Sequence, residues 1–197
     1  MDKPIFRTID LRQRGALIDT LSQAFVGDPA ISYIFPDLAA QRSRLPRQFA
    51  IMVPLDFADG YVLQSPGTEV VTLWRQPGKA HVSQLSYLFY GFRLLHAFGG
   101  SLGRALAVGD AIDAHHPKDV DYHYLHYAGV RPEAQGKGWG GAAIREGLTR
   151  AKAEGKSVYL ETATESNVGL YQNLGFSVTS EWDVPRGGPH FWSMWHQ

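Results

Sequence analysis

No cysteine occurs in this chain of 197 residues. That excludes disulfides, thiolate metal sites and acyl-enzyme routes through a cysteine nucleophile, and it fits a reducing cytoplasm. Neither sign of charge is in excess, because nineteen basic residues face nineteen acidic ones. A nucleic-acid-binding face shows as a basic excess, so no nucleic-acid partner is expected and any attraction for phosphate has to be local. No apolar run approaches the roughly 18 residues of a membrane span, and Met1-Asp2-Lys3-Pro4 has no apolar signal core. The expectation is a cytoplasmic protein without a membrane partner. No complete Walker loop occurs, and no glycine-flanked serine follows a strand, which sets aside a P-loop and a Ser-His-Asp hydrolase. Repeats, low-complexity tracts and linkers are absent, so residues 1–197 read as one domain.

Glycine is plentiful where it counts. Val130-Arg131-Pro132-Glu133-Ala134-Gln135-Gly136-Lys137-Gly138-Trp139-Gly140-Gly141 follows an aromatic and β-branched run, Tyr122 to Val130, and precedes a helical one. Bare backbone in front of a helix N-terminus, with its unpaired N–H groups and positive dipole end, reads as a pyrophosphate cradle. Two cofactor classes compete for it. Gly136-x-Gly138-x-x-Gly141, with Glu161 about 20 residues on, fits a dinucleotide-binding oxidoreductase. Against that reading, Arg131 to Gln135 separate the first glycine from the strand, and the motif lies two-thirds of the way along the chain.

The residues downstream decide between them. Gln135-x-x-Gly138-x-Gly140 is followed by Leu160-Glu161-Thr162, Asn167-x-x-x-Tyr171 and Gly175-Phe176. This pattern resembles the GNAT superfamily of acetyl-CoA-dependent N-acetyltransferases. Leu160-Glu161-Thr162, the Asn167-to-Phe176 stretch and Glu181-Trp182-Asp183-Val184-Pro185 look most like its puromycin N-acetyltransferase branch, as do Ala24-Phe25-Val26-Gly27-Asp28-Pro29 and Phe35-Pro36-Asp37. The resemblance is strong from about residue 120 to 185 and looser between 38 and 116. It implies an α/β (α+β) fold: a mixed, mostly antiparallel twisted sheet of six to seven strands flanked by helices.

Pattern reading supplies the elements. Pro4 to Ile9 reads as a first strand, and Asp10 as the cap of a helix carrying Leu17, Leu21, Ala24 and Phe25. Asp37 to about Phe57 reads as helical, with a kink or a division into two helices at Pro46. Tyr61–Gln64 and Val70–Trp74 form a hairpin about Pro66-Gly67. Leu85, Leu88, Phe89, Phe92, Leu95 and His96, then Leu102, Ala105, Leu106 and Ile112, give two helices broken at Gly99-Gly100. Their apolar face packs in the core or walls an acceptor pocket. Val158–Glu161 is a strand, Ser166 or Asn167 begins a short helix ended by Gly175, and two strands close the chain. The C-terminal aromatics Phe191, Trp192 and Trp195 suit internal packing or a homodimer contact.

Acetyl transfer to an amine needs a held thioester, a deprotonated amine and a stabilised leaving thiolate. The segment Gln135, Gly136, Lys137, Gly138, Trp139, Gly140 and Gly141 is the candidate grip on CoA. The resemblance implies that backbone of Ala128, Gly129 and Val130 pairs with the pantetheine arm, that Asn167 contacts it, and that the Tyr171 hydroxyl lies at the sulfur as proton donor. Glu161 is the candidate base, or else a carboxylate capping the next loop. His126, placed on one face with Tyr124 and Val130 by alternation, is a tentative base, and Asp121 and Tyr124 are weaker ones. No metal is expected: His123 and His126 point to opposite faces of a strand, and His115-His116 sits before a proline. The co-substrate is then acetyl-CoA and the partner a small-molecule amine. A non-catalytic CoA-binding or sensor module of the same fold is the rival.

Overall fold

The computed structural model describes residues 6–8, 14–81 and 84–197. The strand read from Pro4 falls on them only in part, and Asp10 and the side chains of Leu85, Leu88 and Phe89 lie outside the described set. Six strands of five or more residues carry the sheet: β2 (Gly60–Gln64), β3 (Val70–Arg75), β4 (Tyr122–Val130), β5 (Ser157–Thr162), β6 (Ser177–Asp183) and β7 (His190–His196). A two-residue β1 (Arg7–Thr8) adds an edge, and the order is β1-β2-β3-β4-β5-β7-β6. Only β4 and β5 run parallel.

Helices cover both faces. One face takes α1 (Arg14–Ala24), α2 (Pro29–Ile34), α3 (Leu38–Asp59), α4 (Gln84–Phe98) and α5 (Leu102–His115) over a core of Leu17, Leu21, Leu45, Phe49 and Leu73. The other takes α6 (Trp139–Ala153) and α7 (Glu165–Gln172) over Trp74, Leu125, Ile144, Leu160 and Met194. Of the two outcomes expected at Pro46, the division into two helices is absent: α3 runs as one helix through Pro46 and Pro54. Buried Leu45 and Phe49 flank Pro46, buried Val53 and Asp56 flank Pro54, and they anchor the helix to the sheet. Residues 29–34 are helical because Pro29 occupies the first turn and Asp28 caps it, accepting from the Ala30 and Ile31 amides at 2.9 and 3.1 Å. The last short helix begins at Glu165, slightly before the expected Ser166 or Asn167.

The face expected on α4 is turned. Phe92 is 84% exposed and Leu95 53%, and His96 is exposed too, while Ala97 and Phe98 are buried. Phe98 stacks on Phe35, and Arg44 donates to the Ala97 carbonyl at 2.9 Å, which fixes that side inward. The C-terminal aromatics pack within the chain: Phe191 stacks on Trp182, Trp192 meets His190, and Trp195 meets Tyr122.

Gly147 lets α6 lie against the sheet. A Cβ there would stand 2.0 Å from Cζ2 of Trp74, whose indole is fully buried and donates to Thr72 Oγ1 at 2.8 Å. The indole cannot retreat, so Gly147→Ala is expected to cost about 3 kcal/mol by overpacking. Urea unfolding would show this as a lower midpoint at unchanged slope.

Candidate active site

The parallel pair β4–β5 is hydrogen-bonded only from Tyr122 to Tyr124 against Ser157 to Tyr159. Beyond that rung β4 continues along β3 to Val130, but among the described residues no strand lines its other edge. The split is accompanied by a bulge: Trp74 opposes Leu125 and Leu73 opposes Tyr127, so His126 is the extra residue on β4. The bulge inverts the alternation. Tyr127 then packs on Phe25 and Phe49, and Gly129 faces α1, where a Cβ would stand 2.9 Å from Leu21 Cδ2 and 3.1 Å from Ala24 Cβ. Val130 faces α6 at Gly140. His126 thus shares a face with Tyr124 but not with Val130, correcting the alternation-based expectation. The close approach at Gly129 is to α1, and the bulge lies three residues before it.

The exposed edge of β4 opens on a cleft of about 650 Å³. Its walls are residues 24–29, Ala128, Val130, Gln135, Gly136, Gly138 to Gly141, and Asn167 and Tyr171 of α7. Gly136 and Gly138 both take φ of 74°, a left-handed backbone that only glycine adopts without strain, and Gly138 is the N-cap of α6. No side chain caps α6, so its first-turn N–H groups face the cleft unclaimed. Gln135 Nε2 donates to the Val130 carbonyl at 3.2 Å, Lys137 Nζ donates to the Glu133 carbonyl at 2.9 Å, and the Lys137 ammonium lies 5.5 Å from the Trp139 ring centroid.

Deeper in the split is a chamber of about 140 Å³ that shares Phe25, Asp28, Ala128, Asn167 and Tyr171 with the cleft. Glu161 and His126 line it. The Tyr124 hydroxyl donates to Glu161 Oε1 across the split, while Glu161 Oε2 is buried with no partner among the described residues. Burial pushes this carboxyl up to about 8, against the downward pull of the Tyr124 bond. The loop-capping role considered for Glu161 belongs to Thr162, whose Oγ1 accepts from the Thr164 amide at 3.2 Å. Tyr171 is buried, its ring edge-on to Phe176 at 5.8 Å, and burial, then Glu161 and Asp28, raise its pKa. The phenol therefore stays protonated throughout the neutral range.

His126 has a partner that the sequence did not suggest. Its Nδ1 lies 2.8 Å from Asp56 Oδ2, and Arg75 Nε donates to Asp56 Oδ1 at 2.6 Å. Burial pushes the Asp56 carboxyl up, but His126 and Arg75 outweigh it and hold the carboxyl below its ordinary value. Burial, more than Asp56 opposes it, drives the imidazole below its ordinary value. A neutral imidazole donating Nδ1–H to a carboxylate leaves its Nε2 as an acceptor. Asp56 was readable in principle: it falls three and four residues after Val53 and Met52, inside the apolar stripe of α3, where a lone acid needs a buried partner. Asp28 was also missed, and it ties the residue 24–29 loop to the far wall by accepting from Thr164 Oγ1 at 3.2 Å.

Other sequence signals are not brought together here. Asp121 pairs with Lys156 at the surface, His123 points to the opposite face from His126 and meets Glu154, and His115 stacks on Trp182. Gly99-Gly100-Ser101-Leu102-Gly103 spells a hydrolase-like string, but it joins two helices, and Ser101 Oγ accepts from Arg104. Gly155-Lys156-Ser157 runs from a helix into a strand, the reverse of a phosphate loop. Among the described residues no group of three or more His, Asp or Glu is placed to hold a metal, and no helix is long and apolar enough to cross a membrane.

Comparison with known proteins agrees with this geometry. The profile of the acetyltransferase (GNAT) family matches residues 79–176. An uncharacterized N-acetyltransferase of Schizosaccharomyces pombe is 28% identical over 167 residues, covering 80% of this chain and 68% of the relative. Among solved structures, a histone acetyltransferase HPA2 and related acetyltransferase from Corynebacterium glutamicum is similar with a TM-score of 0.73 and 24% identity, over 98% of this chain and 96% of that one. A polyamine N-acetyltransferase of Drosophila melanogaster is similar with a TM-score of 0.64 and 16% identity, over 98% and 99% of the two chains. At those identities the structural likeness speaks for the fold. Residues 79–176 thus resemble the acetyltransferase (GNAT) family, and the sheet and helices have the fold of the GNAT structures they match.

Proposed function

We propose that residues 1–197 act as one unit that moves the acetyl group of acetyl-CoA to the primary amine of a small molecule, by direct attack in a ternary complex. The observation that carries this reading is the split between β4 and β5, which joins a glycine-walled cleft to a chamber holding Tyr171 and Glu161. The uncapped first turn of α6, with Gly136, Gly138, Gly140 and Gly141 clearing the approach, grips a pyrophosphate. Gln135, Lys137 and Trp139 form its rim. The free edge of β4 at Ala128, Gly129 and Val130 pairs with the pantetheine arm as an added strand, and Asn167 hydrogen-bonds it. Glu161 takes a proton from the ammonium. The amine nitrogen attacks the thioester carbonyl carbon, and the C–S bond breaks as C–N forms. Tyr171 gives its proton to the departing sulfur, and the surplus proton on nitrogen restores the phenol. Leu160-Glu161-Thr162 and the Asn167-to-Phe176 stretch keep the puromycin N-acetyltransferase branch as the nearest pattern within this reading.

Thermal unfolding with added ligand tests it. Acetyl-CoA at about 100 times its Kd stabilises by about 2.7 kcal/mol if it binds the native state alone. NADH should do nothing. Stabilisation by NADH and not by acetyl-CoA would restore the dinucleotide reading.

The base is read from pH. With Glu161 at about 8, kcat/KM should climb about tenfold per pH unit below that value and level off above it. Glu161→Gln should abolish the limb. Tyr124→Phe removes a hydrogen bond that holds the carboxyl down, so it should move the limb to higher pH while leaving the plateau in place. A second reading has a specific observation behind it, the Asp56–His126 pair. If His126 is the base, the limb falls below the ordinary imidazole value, survives Glu161→Gln and disappears in His126→Gln.

A further inference from the structure

The chamber behind the split is two-ended. Toward the cleft, Asn167 and Tyr171 line both spaces and Glu161 Oε2 has no partner among the described residues, while away from the cleft the neutral amide oxygen Gln48 Oε1 is likewise without one. Three further polar side chains are already engaged. Asp28 caps α2 and accepts from Thr164, Thr162 accepts from the Thr164 amide, and His126 donates to Asp56. The apolar part of the wall includes Phe25, Ile31, Ile34, Val108, Ile112 and Phe191. A dry cavity of about 150 Å³ with such a lining accommodates benzene, and this chamber measures about 140 Å³. Val108, Ile112 and His126 also line a second chamber of about 160 Å³, whose walls continue apolar through Leu94, Phe98 and Leu102. Of its carboxylates, Asp110 is exposed, and half-buried Asp113 already lies 3.2 Å from His81 Nδ1.

We propose that the acceptor is a monoamine borne on an apolar, ring-sized body, with its amine at Glu161 and Tyr171 and its body against the wall formed by α2, α5 and Phe191. This inference rests on the acetyl-transfer reading and narrows its acceptor. Apolar surface leaving water favours such a molecule. A second ammonium carried past Glu161 meets no free carboxylate in this chamber, only the neutral Gln48 Oε1, and a buried charge without a counter-charge is strongly disfavoured.

A matched pair of amines tests the proposal. n-Butylamine and putrescine differ by one terminal amino group. Initial rates with acetyl-CoA should give n-butylamine a kcat/KM at least about 100-fold above putrescine. Within the monoamines, kcat/KM should rise about fourfold per methylene from ethylamine to n-butylamine, and 2-phenylethylamine should exceed n-butylamine. Putrescine or spermidine equal to or better than n-butylamine would overturn the proposal and seat a second cation at Asp110 and Asp113, while leaving acetyl transfer intact. No transfer to any of these amines, with stabilisation by acetyl-CoA preserved, would overturn both the proposal and the reading beneath it.

Discussion

Tyr171→Phe is expected to lower kcat about 10²- to 10⁴-fold, the usual contribution of a positioned proton donor, with the melting temperature close to that of the parent. The ring is held by packing alone, edge-on to Phe176 and beside Leu174 in the α6–α7 core, and phenylalanine keeps those contacts. Only the hydroxyl is removed. That hydroxyl is protonated across the neutral range because burial, Glu161 and Asp28 all disfavour the phenolate. In the proposed transfer it is therefore available as a donor to a thiolate and not as a base. Steady-state kinetics with separate kcat and KM values check this: a loss confined to kcat marks an interaction made in the transition state. Full turnover in a folded Tyr171→Phe protein would reduce Tyr171 to a packed aromatic.

Asp56→Ala is expected to carry the largest stability loss, about 3–5 kcal/mol. Asp56 is fully buried and holds two partners, Arg75 at 2.6 Å and His126 at 2.8 Å. Arg75 is 1% exposed, and its Nη2 already lacks a partner among the described residues. Removing the carboxylate strands a buried guanidinium, and small domains are stable by only about 5–15 kcal/mol in all. The pH dependence has a definite sign. The Asp56 carboxyl is held below its ordinary value, so its contribution is present above the unfolded-state value near 3.8 and is lost as pH falls through the native value. Urea unfolding of parent and variant should differ most at neutral pH and converge on acidification. A constant difference down to low pH would mean that packing, not charge, is what Asp56 supplies.

Much of this architecture is visible in the sequence where one residue type settles the local geometry. Tyr122 to Val130 is a strand with the expected bounds because an aromatic-rich, uncharged run lies between Asp121 and Arg131-Pro132. Gly155 and Gly175 end their helices with φ of 64° and 93°. The glycine turn is legible because Gly136 and Gly138 supply the left-handed backbone that leads into α6. The misses share a cause, which is that long-range packing chose between local options of similar quality. Residues 84–98 offer two apolar stripes, and Phe35 and Arg44, some fifty residues earlier, select the one with Ala97 and Phe98. The bulge at His126 has no glycine or proline to mark it, so alternation carried past it put Val130 on the wrong face. The unbroken α3 shows that a buried face on both sides of a proline outweighs its missing N–H. The Asp56–His126 pair joins positions seventy residues apart.

The most direct test of acetyl transfer is amine-dependent release of free thiol from acetyl-CoA by the purified protein. The chain contains no cysteine, so any thiol that appears comes from CoA. Acetyl transfer predicts steady thiol release when 2-phenylethylamine is added, negligible release without amine, and loss of most of that rate in Tyr171→Phe. Stabilisation by acetyl-CoA with no thiol released for any amine would contradict it and leave a CoA-binding module that performs no transfer.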